Sequence, residues 1–262
     1  MDFALLASGS KGNAFVVKSD TTLVLVDCGS TKKHLLASFS TLNIEREDLD
    51  AILITHDHSD HISQIHHFKD IPIFAPVEIS DVEVMLVEPY EMMHIGDMDI
   101  LPLALSHDAP HTVGYIFWQG NEKLCYITDT GYVSKKNQEY LKDADYYILE
   151  ANHDVSMLMD SRRPQYVKAR IYGDQGHLCN EDCASLLSEA CSTNTKLVIL
   201  AHLSQEANTR ELSLNVIKEA LEKKKELKGL KIASAGQYEM IRKGLSDEKM
   251  DLGTCYSVIG ME

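Results

Sequence analysis

The sequence predicts an α/β fold made of two related halves, each a sheet with covering helices, and three observations carry that prediction. Near-continuous apolar runs such as AILIT (51–55) mark strands buried on both faces. TLVLVDCG and KLCYITDTG both end as apolar strand, Asp, any residue, Gly, and each is followed by a similar downstream unit, DLDAILITHDH or DADYYILEANHD. This weak repeat of strands, D-x-G, helix, apolar strand and polar loop implies two alike units. Third, amphipathic helix patterns fill the second half. No Pro/Ser-rich linker separates the halves, so residues 1–262 read as one domain with packed layers.

The elements follow in order. FALLAS and AFVVKS flank SGSKGN (8–13), which lacks the lysine-serine ending of a phosphate loop and precedes no helical pattern. A tight turn between paired strands is the better reading. HISQIHHF, after the strand AILIT, reads as a helix with Ile62 and Ile65 toward the core. ILPLALSH, KLCYITD and KLVILAH are apolar strands ending in a metal-ligand residue type. NEDCASLLSEACS (180–192) has an Asn cap and places Ala184, Leu187 and Ala190 at helical spacing. ELSLNVIKEALEKKKEL (211–227) is an amphipathic helix, so the lysine-rich 222–231 stretch reads as its solvated face, and LKIASA follows as a strand. From Ser246 onward no pattern stands out.

Composition narrows the class. No apolar run approaches the length of a membrane span. MDFALLASGSKGN lacks a basic n-region and a cleavable apolar stretch, so the expected location is the cytoplasm. In a reducing compartment the six cysteines, with no CxxC pair, are expected to be buried thiols. The net charge of −15 opposes a general affinity for polyanions. Nucleic-acid contact would need a local basic patch, for which Arg162, Arg163, Lys168 and Arg170 are the candidates.

The chemistry concentrates in THDHSDHISQIHHF (55–68), at the C-terminal end of a buried strand, where α/β folds place ligands. His56 and His58, two apart in extended chain, can face one point, while Asp60 and His61 follow at a helix start. Imidazole plus carboxylate suits zinc, iron or manganese rather than calcium. Asp57 and Ser59 shape the loop, and His66 and His67 are helical residues rotated away from His61. More donors are needed; His107, Asp129 and His202 end their strands in the same format, and His177 lies in the loop GDQGHLCNED.

HDHSDH, preceded by Asp27 and followed by His107, Asp129 and His202, resembles the metallo-β-lactamase superfamily of metal-dependent hydrolases over residues 1 to about 240. FALLASGSKGN, SHDAPHTVGY, EANHD, GHLCNED and AHLSQEANT further resemble the YycJ (WalJ) family, described as metal-dependent exonucleases related to RNase J and RNase Z. The resemblance implies an αββα sandwich of two mixed sheets flanked by helices, with the site along one edge. It implies one metal on His56, His58 and His107, a second on Asp60, His61 and His202, and Asp129 bridging them. Asp27 would orient the loop, and His153 would lie near the metals or just behind their ligands. The commonest true β-lactamases carry cysteine where Asp129 stands, which points away from antibiotic hydrolysis.

Two divalent cations (Zn, Mn or Fe) would lower the pKa of a shared water enough for in-line attack, without a side-chain nucleophile. Asp60 and His177 are the candidate catalytic side chains. His177, whose loop resembles the histidine loop of RNase J-like nucleases, would protonate the leaving group. Ser8, Ser10, Asn13, Lys168 and Arg170 are candidate substrate contacts. The expected activity is phosphodiester hydrolysis, as a 5′-to-3′ exonuclease with DNA, or else RNA, as substrate and no membrane partner. The alternative is a small-molecule metallo-hydrolase, either a simple or cyclic phosphodiesterase or a glyoxalase-type thioesterase, which the acidic charge favours.

Overall fold

The structure, a computed structural model, describes residues 1–245 and 250–260. The chain begins β1 (Asp2–Ala7), β2 (Ala14–Lys18), β3 (Leu23–Val26), α1 (Lys32–Thr41), β4 (Ala51–Leu53), α2 (Ser59–Ile62), β5 (Ile73–Ala75) and β6 (Met85–Leu86). It continues β7 (Met93–Ile95), β8 (Met98–Ala104), β9 (Val113–Gln119), β10 (Glu122–Ile127), α3 (Lys135–Leu141), β11 (Tyr146–Glu150), α4 (Val155–Asp160), α5 (Gln165–Tyr172) and α6 (Asn180–Ala190). It ends β12 (Leu197–Ala201), α7 (Arg210–Leu221), β13 (Lys231–Ser234), β14 (Ile241–Lys243), β15 (Met250–Asp251) and β16 (Tyr256–Val258).

Two mixed sheets result, ordered β15-β14-β1-β2-β3-β4-β5-β6 and β16-β13-β12-β11-β10-β9-β8-β7. Their inner faces share one core, in which Phe15 stacks on Tyr126 at 5.1 Å and Phe3 meets Tyr146 edge-on. The outer face of the first sheet packs on α1 through Leu35 and Phe39, and that of the second on α6 and α7 through Leu187 and Ile217. This is the αββα sandwich. Apolar side chains on both strand faces explain why AILIT and YYILE read as uninterrupted runs.

The topology collects the functional ends. β3 and β4 run parallel, as do β10, β11, β12 and β13, so their C-terminal ends open on one edge of the sandwich. β8 joins them, because β8 and β10 are both antiparallel to β9. Tyr115 of the second sheet donates its hydroxyl to the Ile54 carbonyl, and Val113 N donates to Thr55 O, tying the base of the HDHSDH loop across the seam.

Several sequence expectations shift. The helix expected over HISQIHHF is one turn, α2, followed by a 3-10 turn at Ile65–His67. The His61 carbonyl accepts from Cys28 N instead of continuing a helical ladder, which stops the helix. Ile65 is buried as expected, Ile62 only half-buried, and His66 and His67 are exposed. Cys179, not Asn180, caps α6, while the Asn180 side chain pairs with that of Asn208. The last long helix stops at Leu221, since a 3-10 turn swings Leu227 and Leu230 into the core, so 222–231 is not one helical face. Helices α4 and α5 had no counterpart in the pattern. In the tail, 246–249 and 261–262 lie outside the described residues, and β15 and β16 pair with β14 and β13. All six cysteines are buried and free.

Candidate metal centre

Asp27 follows β3 in the left-handed region, at φ 57°, a conformation that Asp tolerates better than most residues. This turns its fully buried carboxylate under the next strand end. There it accepts from Thr55 N (2.9 Å), Thr55 Oγ1 (2.9 Å) and His61 Nδ1 (2.7 Å). The proton on His61 Nδ1 leaves Nε2 to face outward, 3.3 Å from Asp129 Oδ2 and 3.8 Å from Asp60 Oδ2. The Asn13 amide also reaches His61 Nε2, at 2.9 Å.

The structure brings the predicted donors together in overlapping sets. Donor atoms of His56, His58 and His107 lie within 4.8 Å of one another, as do those of Asp60, His61 and His202. Asp129 joins His56 and His61 in a third set, and His202 in a fourth with Glu150 and His177. Asp129 also has a positive φ, 61°, as does His202 at 54°.

Glu150 was not anticipated. It ends β11, is fully buried, and its Oε1 accepts from His177 Nδ1 (2.7 Å) and His202 Nδ1 (2.9 Å). Its Oε2 accepts from Thr130 N (2.9 Å) and Leu178 N (3.3 Å). The signal was present: Glu150 ends an apolar strand in the same format as His107, Asp129 and His202.

The electrostatics suit a cation. Burial alone would raise Asp129 and Glu150, but the imidazoles of His202 and His61 hold Asp129 well below the carboxylate range, and His177 and His202 hold Glu150 at about 2. Burial opposes charge on His202, yet Asp129 and Glu150 push it up to about 9. His56 is driven strongly downward by burial and by His61, so its ring is neutral. Buried His56 Nε2, Asp129 Oδ2 and His202 Nε2 have no hydrogen-bond partner. A buried polar atom left so costs about 1–3 kcal/mol. Divalent cations held by these sets would remove that cost, and the donor chemistry fits them, although no single set contains both His56 and His202.

The remaining candidates divide. His177 lies at the cleft, its ring 5.2 Å from those of both His107 and His202. His153 is fully buried, its backbone bridged to Cys179 and its ring 6.4 Å from that of Tyr172, outside every donor set among the described residues. Ser10, Arg163 and Arg170 line the mouth. Three expected substrate contacts face inward. Ser8 Oγ accepts from His202 N (2.8 Å), Asn13 holds Gly9 and His61, and Lys168 is 6% exposed with its ammonium on the Met159 carbonyl. Ser8 and Asn13 therefore brace the centre, and Lys168 joins α5 to α4.

A two-sheet sandwich with this histidine–carboxylate cluster on its edge defines the metallo-β-lactamase class of metal-dependent hydrolases. The family model described as "Beta-lactamase superfamily domain" matches residues 22–203. Exodeoxyribonuclease YycJ of Bacillus anthracis is 36% identical over 238 residues, covering 86% of this chain and 90% of that one. Exodeoxyribonuclease WalJ of Streptococcus pneumoniae is 35% identical over 229 residues, covering 80% and 84%. The chain belongs to the beta-lactamase superfamily and, within it, to the YycJ/WalJ family. Among solved structures, the metallo-beta-lactamase fold protein YhfI from Bacillus subtilis superposes with a TM-score of 0.69 at 17% identity, over 92% of this chain and 99% of that one. No helix among the described residues is long and apolar enough to cross a membrane.

Proposed function

We propose that the protein is a metal-dependent exodeoxyribonuclease working in the 5′-to-3′ direction. One observation carries the hydrolytic reading: seven histidine and aspartate donors converge at one cleft with buried nitrogen and oxygen atoms lacking partners. The relatives' names supply DNA as substrate.

In this reading His56, His58 and His107 hold one divalent ion, Asp60, His61 and His202 a second, and Asp129 stands between the sets. Zinc, manganese and iron all accept these ligands. The ions supply an activated water and charge stabilisation on the phosphoryl oxygens. The chain's residues do the rest. Asp27 and Glu150 fix His61 and His202 with Nε2 toward the cleft. His177 donates its Nδ1–H to Glu150 in a hydrogen bond that keeps that proton on the ring, and in its imidazolium form it would pass the Nε2 proton to the departing oxygen.

The test is hydrolysis of labelled single- and double-stranded DNA, RNA, bis-p-nitrophenyl phosphate and thioesters by metal-loaded protein. DNA cleavage is expected, and Asp129→Ala and His58→Ala should abolish it. Thioester turnover with intact nucleic acids would overturn the nuclease reading. Turnover of bis-p-nitrophenyl phosphate alone would favour a small-molecule phosphodiesterase. Full DNA cleavage by His177→Ala would remove that histidine from the reaction.

A further inference from the structure

Between β11 and α6 the chain makes a short helical hairpin, α4 and α5, that the mechanism above leaves unused. Its buried side chains Leu158 and Ile171 form with Ala207 a cluster of their own, distinct from the three large cores. From this hairpin Arg163 and Arg170 reach the mouth of the metal centre. Each is tied to the body by one carboxylate: Arg163 Nε to Glu206 at 2.9 Å and Arg170 Nε to Asp108 at 2.6 Å.

The second pair stands beside the reacting groups. Asp108 lies 3.3 Å from His107 Nε2 and 3.8 Å from His58 Nε2. Facing it, the Arg170 side chain is 64% exposed. An aspartate at the mouth of a phosphodiesterase repels the phosphate beside the scissile one unless a cation covers it. An exposed ion pair contributes little to stability, so exchanging its anion costs little. One helical turn before Arg170, on the same face of α5, Tyr166 is 76% exposed. A guanidinium and an exposed aromatic ring on one face are the two contacts a single strand takes, one for its backbone and one for a base. In a chain of net charge −15, such a local device is what lets a polyanion dock.

Resting on the hydrolase reading, we propose that α5 is the grip for a single-stranded polynucleotide. Arg170 exchanges Asp108 for the phosphate next to the scissile one, and Tyr166 stacks on a neighbouring base. Arg170 thereby makes the centre prefer a polymer over a lone diester.

The experiment compares kcat/KM on a single-stranded oligonucleotide and on bis-p-nitrophenyl phosphate for the parent, Arg170→Ala, Tyr166→Ala, Asp108→Asn and the Asp108→Asn/Arg170→Ala double variant. Arg170→Ala should lose about tenfold more on the oligonucleotide than on the small diester. It should also flatten the dependence of log KM on log salt by about 0.7, the value for one phosphate contact to a single strand. Tyr166→Ala should lose about tenfold on the oligonucleotide, within the range for one stacked base. The arginine loss should persist in the Asp108→Asn background. If it vanishes there, Arg170 only masks the aspartate and the proposal is wrong. Equal losses on both substrates, or an unchanged salt slope, overturn it as well. A parent inactive on both substrates instead removes the hydrolase reading, and this inference with it.

Discussion

Two buried carboxylates, Asp27 behind β3 and Glu150 at the end of β11, use their oxygens on backbone amides and on the Nδ1 protons of His61, His177 and His202. Each thereby fixes which nitrogen its histidines present to the cleft. Glu150→Gln puts an amide nitrogen where an acceptor is needed and should weaken metal binding about 10- to 100-fold, the usual cost of losing such a partner. Zinc titration of the metal-free protein measures this; parental affinity would show that the carboxylate does not set the rings. At this scale most of the cluster was readable, because His56, His107, Asp129 and His202 lie at or just beyond the ends of apolar strands. Glu150 has that format too, but in EANHD the histidine three residues on carries the more specific ligand chemistry. Among the described residues, His153 is in none of the donor sets and is buried with both ring nitrogens unpartnered, near enough to Glu150 and His177 to feel their charge.

At the scale of the element, the repeated D-x-G acquires a physical reason. In both copies the aspartate has positive φ, and the glycine lies against the backbone of a second loop. A Cβ on Gly29 would stand 1.6 Å from the Asp60 carbonyl oxygen, and one on Gly131 would stand 2.2 Å from that of Asp174. Both contacts are with backbone, so no side chain can yield. Gly29→Ala should displace Asp60 and His61, remove activity and cost about 1–3 kcal/mol or more, as overpacking does. Urea unfolding and metal content check it; a fully loaded, equally stable variant would contradict the close-packing argument. The sequence revealed the repeat but not its purpose, because a glycine read along the chain looks the same in a free turn as beneath another loop. The hairpin of α4 and α5 was illegible for a related reason: it buries few apolar side chains, so its sequence carries little periodicity.

Across the whole molecule, the two sheets are pinned far from the site as well as at it. Glu122 of β10 meets the Met1 ammonium, the Tyr146 hydroxyl and Lys196. Burial alone would raise its pKa, but the Met1 ammonium and Tyr146, with Lys243 nearby, hold it at about 2 against an ordinary 4.5. A carboxylate depressed by folding adds stability that is complete above its unfolded pKa and disappears as pH falls through its folded one. Denaturation of the metal-free protein should therefore show stability falling between about pH 4.5 and 2, less steeply in Glu122→Gln. An identical acid limb in that variant would exclude the contribution. The sandwich itself was foreseeable from strands apolar on both faces. The pairing of β14 with β1 was not, because no periodicity encodes which distant strand closes a sheet.

That closure has a consequence for how the chain comes to be folded. Lys11 and Gln237, which clasp each other beside the β1–β14 pair, are 226 residues apart. As the chain emerges from its amino end, every metal donor is available before the strand that covers the outer edge of β1. Until then that edge offers unpaired amides and carbonyls to any passing strand. A chain ending before Gly236 retains the whole donor set, yet it should self-associate in size-exclusion chromatography. Assembly of the centre and protection from aggregation thus depend on different parts of the polypeptide, and the second is secured later.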